Sequence, residues 1–138
     1  MYNKILLAAD GSKHSLRAAE KAIGLVKKNQ GVIDIVYVVS GTDSKADVLH
    51  YSSKEEIRIR RKEKLAELEA LLQKEAATYD IHILHGEPGP TVVDFANNNP
   101  YDCVVIGSRG LNQVQSLVLG SVSHKVAKRV ESPVLIVK

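Results

Sequence analysis

Five short apolar runs, separated by stretches with helical periodicity, constrain this chain more than any other feature. The runs are Lys4–Ala9, Val32–Val39, Ile81–His85, Cys103–Ile106 and Val134–Val137. Most are almost continuously aliphatic or β-branched rather than alternating. A strand of that kind has apolar neighbours on both of its faces, which is the condition inside a parallel sheet covered by helices. The intervening segments supply the helices. Residues 13–28 place Leu16, Ala19, Ile23 and Val26 on one stripe. Residues 54–77 do the same with Ile57, Leu65, Leu68 and Leu72, and as one continuous helix would extend about 36 Å. Residues 91–98 and 122–131 predict two shorter helices. The resulting β-α-β-α-β-α-β-α-β order predicts a single doubly wound α/β domain over residues 1–138, with right-handed crossovers and helices on both faces of a parallel sheet.

Composition narrows the class further. The 138 residues are 44% hydrophobic, which excludes an intrinsically disordered chain. No apolar run approaches the roughly 20 residues of a membrane span, and the N-terminal run turns polar at Asp10, too soon for a signal peptide. Cys103 is the single cysteine, so no intrachain disulfide exists. These features predict a cytoplasmic protein without a membrane role. The formal charge of +3 is too small to argue for nucleic acid. Residues 54–75 carry seven basic and six acidic side chains, the pattern of a solvated helix face. Residues 40–53 form a long, mostly polar link, read as a lid, a binding loop or a mobile insertion.

In open α/β sheets ligands bind beyond the carboxyl ends of the strands, where the strand order reverses. The fourth strand ends in Gly107-Ser108-Arg109-Gly110, and after nine further residues Gly120-Ser121 precedes the last helix. Glycines let the backbone turn with its amides exposed. A helix N-terminus adds free amides and partial positive charge, and Ser121 and Ser123 add hydroxyl groups. Singly, each glycine fits an ordinary turn and Ser121 an ordinary N-cap. Together, bracketing one loop, they predict a cradle for phosphates. Asp10-Gly11-Ser12, at the end of the first strand, can be a turn and cap or a ligand-binding carboxylate.

The spacing Gly107-x2-Gly110-x9-Gly120-Ser121 matches the G-x2-G-x9-G-[S/T] signature of ATP-binding universal stress proteins. Ile5-Leu6-Leu7-Ala8-Ala9-Asp10-Gly11-Ser12 resembles the first strand of that family, and Ser132-Pro133-Val134-Leu135-Ile136-Val137 its last. The resemblance implies strand order 3-2-1-4-5, with Asp10 and Gly107 facing each other across the switch point. It implies that Asp10 binds the ribose or adenine side of ATP, that the backbone of Val38 meets adenine, and that Ala8 and Ile106 line the pocket. Gly107, Gly110, Gly120, Ser121, Val122 and Ser123 would hold ribose and phosphates, with Mg2+ accompanying the nucleotide. Ala8 stands where some members carry proline. Strand Val134–Val137 would pair with its copy in a symmetric homodimer.

Function then divides between two classes. One is a nucleotide-dependent regulatory or stress-response switch in which ATP orders loops 40–53 and 108–119. No positioned nucleophile or general base is evident, so slow hydrolysis at most is expected and no catalytic or metal-ligating residue is assigned. The other is an adenine-nucleotide α-hydrolase-like enzyme that cleaves ATP to AMP and pyrophosphate. Its S-G-G-x-D-S loop is poorly matched by Asp10-Gly11-Ser12-Lys13-His14-Ser15. A phosphoacceptor receiver domain would need an aspartate where the third strand ends in His85-Gly86. Among the histidines, His14 reads as a first-turn surface residue. His82 and His85, three apart on a strand, point to opposite faces. Cys103 reads as a small buried hydrophobe.

Overall fold

The computed structural model of the chain describes residues 2–41, 45, 48–49, 53–109 and 120–138. Five parallel strands form one sheet in the order β3-β2-β1-β4-β5. They are β1 (Lys4–Ala8), β2 (Val32–Val39), β3 (Thr78–His85), β4 (Cys103–Gly107) and β5 (Val134–Val137). The described helices are α1 (Lys13–Lys27), α2 (Lys54–Lys64), α3 (Ala66–Lys74), α4 (Pro88–Asn97) and α5 (Ser121–Arg129).

The sheet is buried on both faces because successive side chains of each central strand enter different cores. Ile5 and Leu7 join Ile33, Ile35, Tyr37, Val39, Cys103 and Val105 on one side, beneath Ala18, Ala22 and Val26 of α1 and Leu68 and Leu72 of α3. Leu6 and Ala8 join Val36, Val104 and Ile106 on the other, beneath Val92, Val93 and Ala96 of α4 and Val126 of α5. Ile5, Leu6 and Leu7 have no exposed surface. The continuous apolar runs are thus the signature of two cores sharing one strand.

The sequence reading and the structure differ at several ends. The expected helix over 54–77 is two helices, broken at Leu65 (φ −103°, ψ 5°). Leu65 is buried in the first core, whereas α2 buries none of its residues. Burying Leu65 therefore sets the direction of α3, and α2 turns away into solvent. β3 begins at Thr78, three residues before the expected Ile81. It pairs with β2 along its whole length, from Val32↔Thr78 to Val39↔His85, and its exposed outer residues break the apolar run. α4 begins at Pro88 because proline's fixed φ suits a first helical turn. Within the 40–53 link, Gly41, Lys45, Val48 and Leu49 are helical rather than loop, and Lys and Leu are good helix formers. The remainder of that link and residues 110–119, with Gly110 among them, lie outside the described residues.

Candidate functional site

Strand register brings the carboxyl ends of β1 and β4 together, with Ala8 paired to Ile106 and to Val36. This is the position where the sheet order reverses, and the flanking turns converge on it. Ala8 and Ile106 are nearly buried, and Val38 on the adjacent strand is partly exposed.

The first turn is built by Asp10. Its Oδ1 accepts hydrogen bonds from the Ser12 amide (2.9 Å) and the Ser15 hydroxyl (2.7 Å), while its own amide donates to Ser15 Oγ (2.9 Å). The N-cap of α1 is Ser12, whose hydroxyl accepts from the Ser15 amide. Asp10 therefore shapes the turn without itself being the cap. Gly11 is left-handed (φ +83°), and a Cβ there would lie 2.9 Å from the Lys64 carbonyl oxygen at the end of α2. Both facts require glycine.

The second turn joins β4 to α5. The Gly120 amide donates to the Ser108 carbonyl (2.8 Å), so the two ends of the 108–120 connection meet. The Ser123 hydroxyl donates to the Gly107 carbonyl (2.5 Å) and is buried. Its proton is thus used to tie α5 to β4, leaving only its lone pairs. Gly120 is the N-cap of α5 and offers no side chain to the first-turn amides. Ser121 is exposed and Val122 partly so. Backbone donors without a side-chain cap, beside a partial positive charge, suit an anion. Ser108 is buried, and its amide donates to the Val137 carbonyl, which ties the turn to β5.

One residue read from sequence as a surface position belongs to this site. His14, in the first turn of α1, packs against Gly107: a Cβ on that glycine would lie 2.9 Å from the His14 Cβ. Its Nδ1 is hydrogen-bonded by the Arg17 guanidinium. Desolvation, then the charges of Arg17 and Arg109, lower its pKa, with Asp10 opposing. Sequence spacing could not show this, because the glycine lies 93 residues further along the chain.

A second polar cluster lies toward the amino ends of the strands, on the same face as Ala8 and Ile106. Tyr101 donates to Asp34 Oδ2 (2.7 Å), Lys4 Nζ stands 4.0 Å from the same oxygen, and His82 Nε2 stands 3.6 Å from Oδ1. His82 also meets the Phe95 ring, so it shares nothing with His85. A cleft of about 360 Å³, lined by Asn97, Asn98, Asn99 and Tyr101, opens at this end of the sheet. Asn97 is committed there to the Arg129 carbonyl and the Glu131 amide, so the cleft offers little chemistry.

Comparison with known proteins agrees with this architecture. The profile of the universal stress protein family matches residues 1–138. Universal stress protein YxiE of Bacillus subtilis is 34% identical, covering 100% of both chains. Among solved structures, protein MJ0577 superposes with a TM-score of 0.83 at 24% identity, covering 100% of this chain and 96% of its own. A universal stress protein in complex with cAMP gives 0.74 at 27% identity, covering 99% and 97%. The universal stress protein of Archaeoglobus fulgidus in complex with dAMP gives 0.73 at 25% identity, covering 99% and 98%. With the β3-β2-β1-β4-β5 sheet and a full-length match, the chain belongs to the universal stress protein family.

Proposed function

We propose that this protein is an ATP-binding universal stress protein, a nucleotide-dependent regulatory or stress-response switch without fast hydrolysis. The observation that carries the reading is the closure of Gly120 onto Ser108 beside the Asp10 turn. That closure sets the uncapped amides of α5 at the point where β1 and β4 meet. Relatives in complex with cAMP and dAMP support an adenine nucleotide as the ligand class. Adenine would lie against Ala8, Val38 and Ile106. Ribose and phosphates would take Asp10, Gly107, Gly110, Gly120 and the residues Ser121, Val122 and Ser123. Among the described residues no group of three His, Cys, Asp or Glu side chains could hold a metal ion. Mg2+ would accompany the nucleotide on its phosphate oxygens.

Switching follows from linkage: ATP stabilises whichever arrangement binds it better. Two further parts of the reading are the cytoplasm as its compartment and a homodimer formed through β5. Isothermal titration with MgATP tests the central claim. Saturable binding in the micromolar range is expected, and no heat of binding at millimolar ATP would overturn it. Mass spectrometry of the nucleotide that copurifies with the protein distinguishes ATP from AMP or a cyclic nucleotide.

A further inference from the structure

His14 is placed where a titrating group can sense phosphate charge. Its Cβ packs on Gly107, the first glycine of the proposed cradle. The groups that face it are Arg17 on its own helix, Asp10 at the end of β1 and Arg109 at the end of β4. Arg17 in turn donates to the Lys138 backbone oxygen after β5 (3.2 Å), which fixes the guanidinium from the other side. The end of α2 at Lys64 rests on Gly11 next to Asp10.

The contact with Arg17 bears on the protonation state. A guanidinium only donates, so His14 Nδ1 accepts and carries no proton. That contact, with the lowered pKa, favours a neutral imidazole with its proton on Nε2 in the free protein. Desolvation, then the charges of Arg17 and Arg109, lower its pKa and favour that form. Phosphates entering beside Gly107 would reverse that balance. They draw Arg17 and Arg109 into charge-assisted contacts, weaken the Arg17–Nδ1 bond, and place negative charge near the ring.

Resting on the ATP reading above, we propose that His14 is a specificity-determining residue of the nucleotide site. It takes up a proton at Nδ1 as phosphate charge enters, and so makes the site favour nucleotides that carry more phosphates. The complex then holds more protons than the free protein, so affinity strengthens as pH falls. The gain is complete below the free His14 pKa, itself below 6.5, and is lost as pH rises through the higher value in the complex. Each unit by which binding raises that pKa strengthens affinity up to about tenfold.

The test compares wild type with His14→Asn, whose Oδ1 stands in for Nδ1 as acceptor for Arg17 but takes no proton. Titrations of AMP, ADP and ATP at pH 7, in buffers of different ionisation enthalpy, give the protons exchanged per nucleotide bound. Subtracting the variant removes protons exchanged by the phosphates themselves. The expected result is greater proton uptake by wild type, with a difference that grows from AMP to ATP. Its affinity for ATP should also fall more steeply than the variant's between pH 6 and 8. Binding with equal proton exchange in both proteins overturns the role of His14 and leaves the ATP reading standing. Absence of binding by wild type overturns the ATP reading itself. Should the variant fail to fold, the 15N shifts of the wild-type His14 ring decide: protonation at Nδ1 on adding ATP supports the proposal, and an unchanged Nε2–H tautomer overturns it.

Discussion

Gly107 and Gly120 occupy equivalent places in a spacing motif, yet the structure gives them different work. A methyl group on Gly107 would meet the His14 Cβ at 2.9 Å and the His14 backbone at 3.1 Å. Backbone cannot rotate out of the way, so Gly107→Ala must displace the first turn of α1. We expect it to lower the unfolding free energy by roughly 1–3 kcal/mol, the usual range for overpacking, as read by urea denaturation. Gly120 caps α5 and marks where phosphates would approach its amides. Gly120→Val should therefore abolish ATP binding in a titration while circular dichroism still reports the wild-type fold. Equal affinity would show that the phosphates lie elsewhere. Tyr101 poses a third question at this scale. Its hydroxyl is buried against Asp34, and burial, then that hydrogen bond and charge, push its pKa up. A raised acid pKa means that the folded state keeps its proton longer than the unfolded chain does. Its contribution is thus complete below about pH 10, the usual tyrosine value, and is lost as pH rises beyond that. Stability followed by denaturation should fall above pH 10 in wild type, and Tyr101→Phe should remove that part of the slope. At neutral pH the same variant should cost about 1–3 kcal/mol, because Asp34 loses a buried donor.

Among the elements, the edge strand β5 carries the sharpest prediction. The carbonyls of Pro133 and Val137 accept from the amides of Val104 in β4 and of Ser108 just after it. By the two-residue period of a strand, Val134 and Ile136 direct their backbone groups to the open edge. Proline at Ile136 would therefore remove an outward donor and spare the β4–β5 ladder. If the protein dimerises through this strand, Ile136→Pro should shift the mass seen by light scattering at tens of micromolar from dimer toward monomer. The element scale also shows what the sequence could reveal. β1, β2 and β4 were legible because both faces of each strand are apolar. The first half of β3 was not, because edge residues such as Thr78 and Asp80 face solvent and interrupt the run. The break at Leu65 was equally hidden: heptad-like spacing continues through it, and only the burial of Leu65 separates α2 from α3. In the site, the glycines and Ser121 stood out by spacing. The Ser123 bond to Gly107 and the packing of His14 did not, since each depends on β4 meeting a distant helix.

Across the whole molecule, the proposed ligand would touch β1, β2, β4 and α5, with Ala8, Val38, Ile106 and Val122 all on the side of the second core. Residues 101–138 contain five basic side chains (Arg109, Lys125, Lys128, Arg129 and Lys138) and two acidic ones, Asp102 and Glu131. The net charge of this segment equals the +3 of the entire chain. Part of it lies in the last turn of α5, where Lys128 and Arg129 complement the helix dipole instead of reaching a ligand. Stabilisation should thus come mainly from fixed amides and backbone geometry that exist only in the folded chain. A ligand of that kind binds the native state alone and stabilises by about 2.7 kcal/mol at a hundred times its dissociation constant. For a domain of this size each kcal/mol raises the melting temperature by about 2–4 °C, so saturating MgATP should raise it by roughly 5–10 °C. Gly120→Val should melt at its own temperature with or without ATP. An equal rise in wild type and Gly120→Val would trace the stabilisation to a different surface of the molecule.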